Sequence, residues 1–392
     1  MNFKMPPVWL IVLIAGLPQL SETVYTPSLP VIAQSLHTSA SMMEYTLTIY
    51  LFGFAIGTLI WGKFSDRFGR KPGILLGLLI FIIGCTGCYY STTISGLMIS
   101  RFVQAFGGSI GSVLGQAICR DAFQGSALGK VYSVVGSALA VFPAVGPVVG
   151  GFIAEHLGWR SIFTVLALFS LLLIILVARN LPETHLPQQR ARISLARVAI
   201  QLLGNKKVMG FALLVAGCNG ISFSYFAEGP FYFIKMLGLS PSQFGMSFIA
   251  IAISTMSGGL LSKYLHAYRS SGKIMQYGLM IILIATLIYS FIAVYLHLPA
   301  RFMIIMSLVM QMTIMFGVCM VTTNALALAL TDFKWCIGTA SSVFGFFYYS
   351  LISVFTLGMG YFHNGTLQAM PLYFLAIGLF MFLIEKWMIK NS

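Results

Sequence analysis

Nine carboxylate side chains and one buried cation set the chemistry this chain can do. The sequence has nine Asp and Glu residues in 392. Asp66, Asp121, Glu183, Asp332 and Glu385 sit where long apolar runs end on one side. Glu44 and Glu155 sit at the opposite side or its edge. Only Glu22 and Glu228 fall well within apolar runs. A carboxyl group withdrawn from water can load and release a proton near neutral pH. Glu22 is the favoured proton carrier, with Glu228 the runner-up or a cation-binding residue. Arg101 is the one cation inside an apolar run, where a charge is expensive and functional by default. Glu22 lies about 21 Å along the first run at 1.5 Å per residue, a depth that Arg101 can share, so the two are candidate partners. Together they read as a proton-coupling set: Glu22, Arg101 and Glu228.

Other chemistries find no residues to carry them. No metal-ligand cluster is expected. No phosphate-cradling glycine loop occurs, so ATP does not drive this chain, and no nucleophile constellation marks an enzyme. No cofactor is expected. Cys85 and Cys88 form a C-x-x-C, but inside an apolar run, and read as packing residues. The six cysteines all lie in or at the ends of such runs and are expected as free thiols.

The elements that position these groups are membrane spans. Hydrophobic residues make up 58% and charged residues 8%, and the mean hydropathy is +0.91. A soluble domain carries roughly 25% charged residues, so a large soluble enzyme is excluded. A span needs about 20 apolar residues. Twelve are predicted, at 8–33, 42–62, 73–91, 96–119, 129–154, 160–180, 208–235, 242–266, 273–296, 300–329, 335–360 and 368–389. The first is expected to be retained, since no cleavage site follows it.

The net charge of +14 reflects orientation rather than nucleic-acid binding. With the N-terminus inside, only Arg160, Lys235 and Arg301 fall on the outer side and Arg101 within a span. Nineteen of the 23 Lys and Arg residues then lie inside, as the positive-inside rule requires. The one long connection, 181–207, divides the chain into 1–180 and 208–392. Within it, 193–203 is predicted to form an amphipathic surface helix with Arg192 and Arg197 facing anionic head groups. A faint repeat supports duplication: Gly62-x-x-x-Asp66-Arg67 echoes Gly258-x-x-x-Ser262-Lys263, and Arg120-Asp121-Ala122-Phe123 echoes Thr331-Asp332-Phe333.

Three motifs give the plan a family likeness. Gly62-Lys-Phe-Ser-Asp66-Arg67-Phe-Gly69-Arg70-Lys71-Pro72 resembles the loop between spans two and three of the major facilitator superfamily. Arg101-Phe-Val-Gln104-Ala-Phe-Gly107-Gly108 looks like that family's span-four element, with Ala105 where glycine is usual. Gly146-Pro147-Val-Val-Gly150-Gly151 resembles its antiporter motif, with Phe142 where a further glycine is usual. The resemblance implies that Asp66 sits at a neighbouring helix N-terminus with Arg120 as partner, and that the loop latches the halves together in an outward-open state. It implies that the span-five glycines seal against span eight. Gly107, Gly111 and Gly115 line one face at i, i+4 and i+8, a close-packing stripe.

Within that superfamily the chain most resembles the Bcr/CflA-type drug resistance exporters, through Tyr25-Thr-Pro27-Ser-Leu-Pro30, Arg120-Asp121 and Leu181-Pro-Glu-Thr. That subfamily has an Asp where Thr23 stands, and Glu22 is one place earlier. The resemblance implies an all-α membrane protein with the major facilitator fold: 12 transmembrane helices in two six-helix pseudo-repeat bundles joined by a cytoplasmic linker. It implies a monomer in the bacterial inner membrane with both termini cytoplasmic. The expected activity is proton-coupled secondary transport, a multidrug efflux antiport of small amphipathic compounds that confers antibiotic resistance and draws on the proton gradient. Its expected partners are that small-molecule substrate, protons and the bilayer. The alternatives are an exporter or importer of one metabolite, such as a siderophore or sugar, and a ligand sensor that does not transport. Candidate cavity residues are Tyr25, Gln104, Asn219, Tyr225, Asn324 and Tyr348, since aromatic rings suit lipophilic cations.

Overall fold

The protein is described by a computed structural model covering residues 5–139, 141–184, 195–296 and 298–389. Among these residues every regular element is a helix. In a bilayer each backbone polar group must be satisfied within its own segment, and a helix does this. The helices are α1 (Val8–Thr23), α2 (Leu29–Ser35), α3 (Ala40–Phe68), α4 (Arg70–Tyr90), α5 (Ile94–Ala122), α6 (Gly125–Leu139), α7 (Phe142–His156) and α8 (Arg160–Asn180). After the long connection come α9 (Leu195–Gly204), α10 (Lys206–Pro230), α11 (Pro241–Leu265), α12 (Ser271–Tyr295), α13 (Ala300–Ala329), α14 (Ile337–Phe362) and α15 (Ala369–Ile384).

Their ends follow local chemistry. Side chains of Ser39, Thr93 and Asn205 accept from backbone amides in the first turns of α3, α5 and α10. Ser240 and Gln243 form a reciprocal capping box on α11. Between α3 and α4 the chain turns at Gly69, whose φ of 104° an L side chain rarely adopts. Pro230 ends α10 and has no amide proton to donate. The chain there widens into a π-helical turn, Phe231–Met236.

Eleven helical stretches among the described residues are long and apolar enough to cross a bilayer, so length alone does not give twelve. The predicted span 129–154 is two helices of 15 residues each, α6 and α7. A turn at Val141 and Pro143 at the start of α7 separate them. Arg192 and part of the predicted surface helix lie outside the described residues. The rest of it is α9, which buries Val198 and Leu202 and packs on α14 and α10.

Within the first half α3 and α4 pack on α5, α8 on α4, and α1 on α5 and α7. Within the second, α12 and α11 pack on α13, and α10 on α14, α13 and α15. Two seams join the halves: α3 against α14, and α7 against α11. The α3–α14 seam runs nearly the whole length of both helices. Tyr45 and Glu44 meet Gly360 at one end, the Ser353 hydroxyl donates to the Thr48 carbonyl at 3.0 Å, Phe54 stacks on Tyr349, and Ser342 faces Gly62 at the other end.

Candidate functional site

The face bearing Arg67, Lys71 and Arg120 opens into a cavity of about 500 Å³. Gln19, Thr58, Ser112, Arg120, Ser341 and Tyr348 are among its walls. Arg120 ends α5 at this mouth, and Gln19 on α1 marks the depth reached. The cavity is therefore open to the basic face and closed toward the other.

Beyond its blind end lies the Arg101 cluster. Arg101 is fully buried. Its guanidinium carbon sits 4.1 Å from the Tyr50 ring centre and 4.5 Å from that of Tyr25. Nη1 donates to Gln104 Oε1 at 2.5 Å, and Gln104 Nε2 donates to Cys85 Sγ. Nε and Nη2 have no hydrogen-bond partner. Two π faces are what hold this cation in place. The Tyr25 and Thr46 hydroxyls are 3.1 Å apart, and the Tyr50 hydroxyl donates to the Pro18 carbonyl at 3.4 Å, which fixes both rings against α1 and α3. Glycines let the helices close over the cluster: a side chain at Gly84 would strike Gln104, and one at Gly107 would strike Phe81.

Glu22 stands one turn beyond Gln19 on α1 and is 6% exposed. Its carboxyl is electrostatically coupled to Arg101, Tyr50, Tyr348 and Tyr349. No direct ion pair joins Glu22 to Arg101 among the described residues; Arg101 lies under the tyrosines instead. An arrangement of this kind makes the charge of one acid felt by a buried cation and by the rings at the cavity's end.

The expected cavity residues divide. Tyr348 lines the cavity. Tyr25 and Gln104 hold Arg101 behind it. Asn219 donates to the Val215 carbonyl of its own helix. Tyr225 is fully buried in a packed aromatic cluster with Phe233, Phe244 and Phe248. Asn324 is buried and ties α13 to α11 by donating to Ser262 Oγ at 2.9 Å. Apolar packing claims Tyr225 and interhelical bonding claims Asn324, so neither reaches the cavity. Gln19, Thr58 and Ser341 do, and nothing in their spacing set them apart.

The basic-face motif has a different wiring from the expected one. Asp66 pairs with Arg70 at 2.6 Å, not with Arg120. Arg70 also donates to Asp121 at 2.8 Å and to Ser65 Oγ at 2.7 Å. The carboxylate at the α4 N-terminus is Glu183, accepting from the Arg70 and Lys71 amides at 2.8 and 3.1 Å, where the helix dipole favours negative charge. Lys71 donates to the Ala178 carbonyl, and Arg67 lies over Phe68. Gly69 leaves the room Glu183 occupies. These contacts tie the start of α4 to the end of α5, the end of α8 and the first residues of the connection.

The span-five motif faces two ways. Gly146 and Gly150 pack on Thr23 and Val24. Gly151 meets Pro241 and Ser242, and the Pro147 carbonyl meets Gly245, so these two face α11. The Phe142 ring rests on Gly16. Glu155 accepts from the Ser242 amide at 3.1 Å. The glycine stripe is also shared out: Gly107 faces α4, while Gly111 and Gly115 face α1.

On the face opposite the cavity mouth, Glu44, Glu228 and His363 converge. Both carboxyl side chains are fully buried, and His363 Nδ1 is 2.6 Å from Glu228 and 3.3 Å from Glu44. Glu44 near the start of α3 is buried rather than exposed to solvent, and Glu228 keeps company with it. His363 carried no motif; it is a lone histidine after an apolar run. Only the α3–α14 seam and the end of α10 bring the three together.

A sequence profile described as the Major Facilitator Superfamily matches residues 11–357. An uncharacterized transporter of Rickettsia bellii is 33% identical over 380 residues, 95% of this chain and 93% of that one. A bicyclomycin resistance protein homolog of Haemophilus influenzae is 32% identical over 253 residues, 64% of each chain. Among solved structures, a D-xylose-proton symporter superposes with a TM-score of 0.78 at 15% identity, over 97% of both chains.

Proposed function

This chain belongs to the Major Facilitator Superfamily, and we propose that it is a proton-coupled exporter of small amphipathic compounds working by alternating access. The halves 1–180 and 208–392 rock against each other, exposing the cavity to the cytoplasm and then to the outside. The reading rests on one observation above all: the buried acid Glu22 stands one turn beyond Gln19, a wall of the cavity that opens on the basic face, and within the field of a buried Arg101.

In the conformation described, Glu22 releases its proton toward the cytoplasmic mouth. The carboxylate left behind sets an attractive field at Tyr348 and Tyr349 for a lipophilic cation. Once the cavity faces outward, an external proton neutralises Glu22, the field collapses and the cation leaves. Arg101, fixed between Tyr25 and Tyr50, senses the change because no carboxylate is bonded to it permanently. Relatives named for bicyclomycin, chloramphenicol and multidrug resistance support the export direction. Glu228 has no part in this step.

The test is proton flux in energised everted vesicles challenged with lipophilic cations, antibiotics and siderophores. Some compounds should dissipate the pH gradient only when the protein is present, and Glu22→Gln should lose at least about tenfold of that flux, as removal of a general acid or base does. Unchanged flux in Glu22→Gln sinks Glu22 as carrier. A response to siderophores alone would replace multidrug export with a single-metabolite carrier.

A further inference from the structure

The cluster of Glu44, Glu228 and His363 has no task in the transport step above. Glu44 comes from the first half, near the start of α3. Glu228 ends α10 and His363 follows α14, both in the second. The ligand atoms of all three lie within 4.8 Å of one another. Both oxygens of Glu44 and Oε1 of Glu228 are buried without any hydrogen-bond partner. No Lys or Arg pairs with either carboxylate among the described residues. Two such acids this close either hold protons and stay neutral or take on a counter-charge, and an ion that displaces those protons finds its donors already gathered.

We propose that this cluster binds one divalent transition-metal ion of the Zn²⁺ class, seated between the two halves. Charge decides the valence: two carboxylates, a neutral imidazole and a divalent ion sum to zero in a dry site. The donor set decides the class. Imidazole with carboxylate suits Zn²⁺ and Co²⁺, whereas Ca²⁺ and Mg²⁺ seek six or more oxygens. Zinc bonds of about 2.0–2.2 Å in tetrahedral geometry place ligand atoms roughly 3.4 Å apart. The His363–Glu44 separation of 3.3 Å is already there, and the 2.6 Å hydrogen bond to Glu228 opens to make room. His363 keeps 14% of its side chain exposed, which gives the ion an entry and leaves the fourth position to water. Because the ligands come from both halves, the bound ion holds this face shut and the cavity open to the basic face.

The experiment uses the full chain in detergent, with Co²⁺ alone and then Zn²⁺ alone. One equivalent of Co²⁺ should bind with the visible absorption of a four-coordinate nitrogen–oxygen site, and Zn²⁺ should displace it. Glu44→Gln and Glu228→Gln, which keep the side-chain shapes, and His363→Gln, which removes the imidazole, should each weaken binding at least about thirtyfold, no less than losing an outer-shell partner at a metal site costs. Absence of a saturable band, or wild-type affinity in the three variants, overturns the site and assigns any binding to other histidines. A second readout tests the bridge. Zn²⁺ should slow maleimide labelling of Tyr45→Cys, which lies at the seam beside Gly360, and should not do so with Glu44→Gln added. Binding without that protection overturns the bridging role. Neither readout needs the transport substrate, so their failure leaves the export reading standing.

Discussion

Two charged clusters face each other across the thickness of the molecule and differ in kind. At the basic face Arg70 satisfies Asp66, Asp121 and Ser65 while Glu183 caps the helix that Arg70 begins. Each acid has a cationic or amide partner. At the other face, Glu44 and Glu228 face each other and His363 with no Lys or Arg beside them among the described residues, and three of their four oxygens lack a hydrogen-bond partner. They also straddle the two halves. A satisfied network braces a fold; an unsatisfied one across two halves can be switched by whatever supplies charge. The contrast also agrees with the direction in which the cavity opens. In the state described, the halves are clasped at the face opposite the cavity mouth.

The largest expected effect comes from removing the brace. Arg70→Ala should lower unfolding stability by about 2–3 kcal/mol, mostly through Asp121, since Asp66 is largely exposed and an exposed pair contributes at most about 1 kcal/mol. A thiol-reactive dye melt in detergent measures it; a melting point within a degree of wild type would refute the brace. Next, Gly150→Ala should cost about 1–3 kcal/mol, because its new carbon would meet the Val24 carbonyl. The same melt reads that loss. Glu183→Ala removes the acceptor from the α4 N-terminus and should cost about 1 kcal/mol, and Glu183→Gln should recover part of it. Glu44→Gln should have the smallest effect on stability, under about 1 kcal/mol, since it deletes a charge that is already poorly paired. Yet it should raise the labelling rate of Tyr45→Cys severalfold. If Glu44→Gln destabilises as strongly as Arg70→Ala, the two clusters are alike and the distinction collapses.

Apolar runs made the membrane fold legible, and their boundaries lie close to the helices found. The fifth run is found as two helices, because hydropathy averages over the turn at Val141 and Pro143 at the start of α7. Motif spacing located the Arg70 loop but not its pairing. Asp66 and Arg70 are four residues apart on a chain that turns at Gly69, and the competing acid, Glu183, is 113 residues away from Arg70. Arg101 announced itself by its charge in an apolar run. Its tyrosine cage did not, because Tyr25 and Tyr50 are drawn in by α1 and α3, each packed on α5. The Glu44–Glu228–His363 cluster was illegible for a similar reason: its members belong to three helices and meet only when the halves close.

The caged arginine stands apart from the walls of the cavity. Arg101, Gln104, Tyr25 and Tyr50 are buried behind it, while small hydroxyl residues such as Thr58, Ser112 and Ser341 meet its contents. Engine and upholstery are separate. Wall positions can change without disturbing the arginine cage, so the lining of this cavity can vary far more readily than the buried charge behind it.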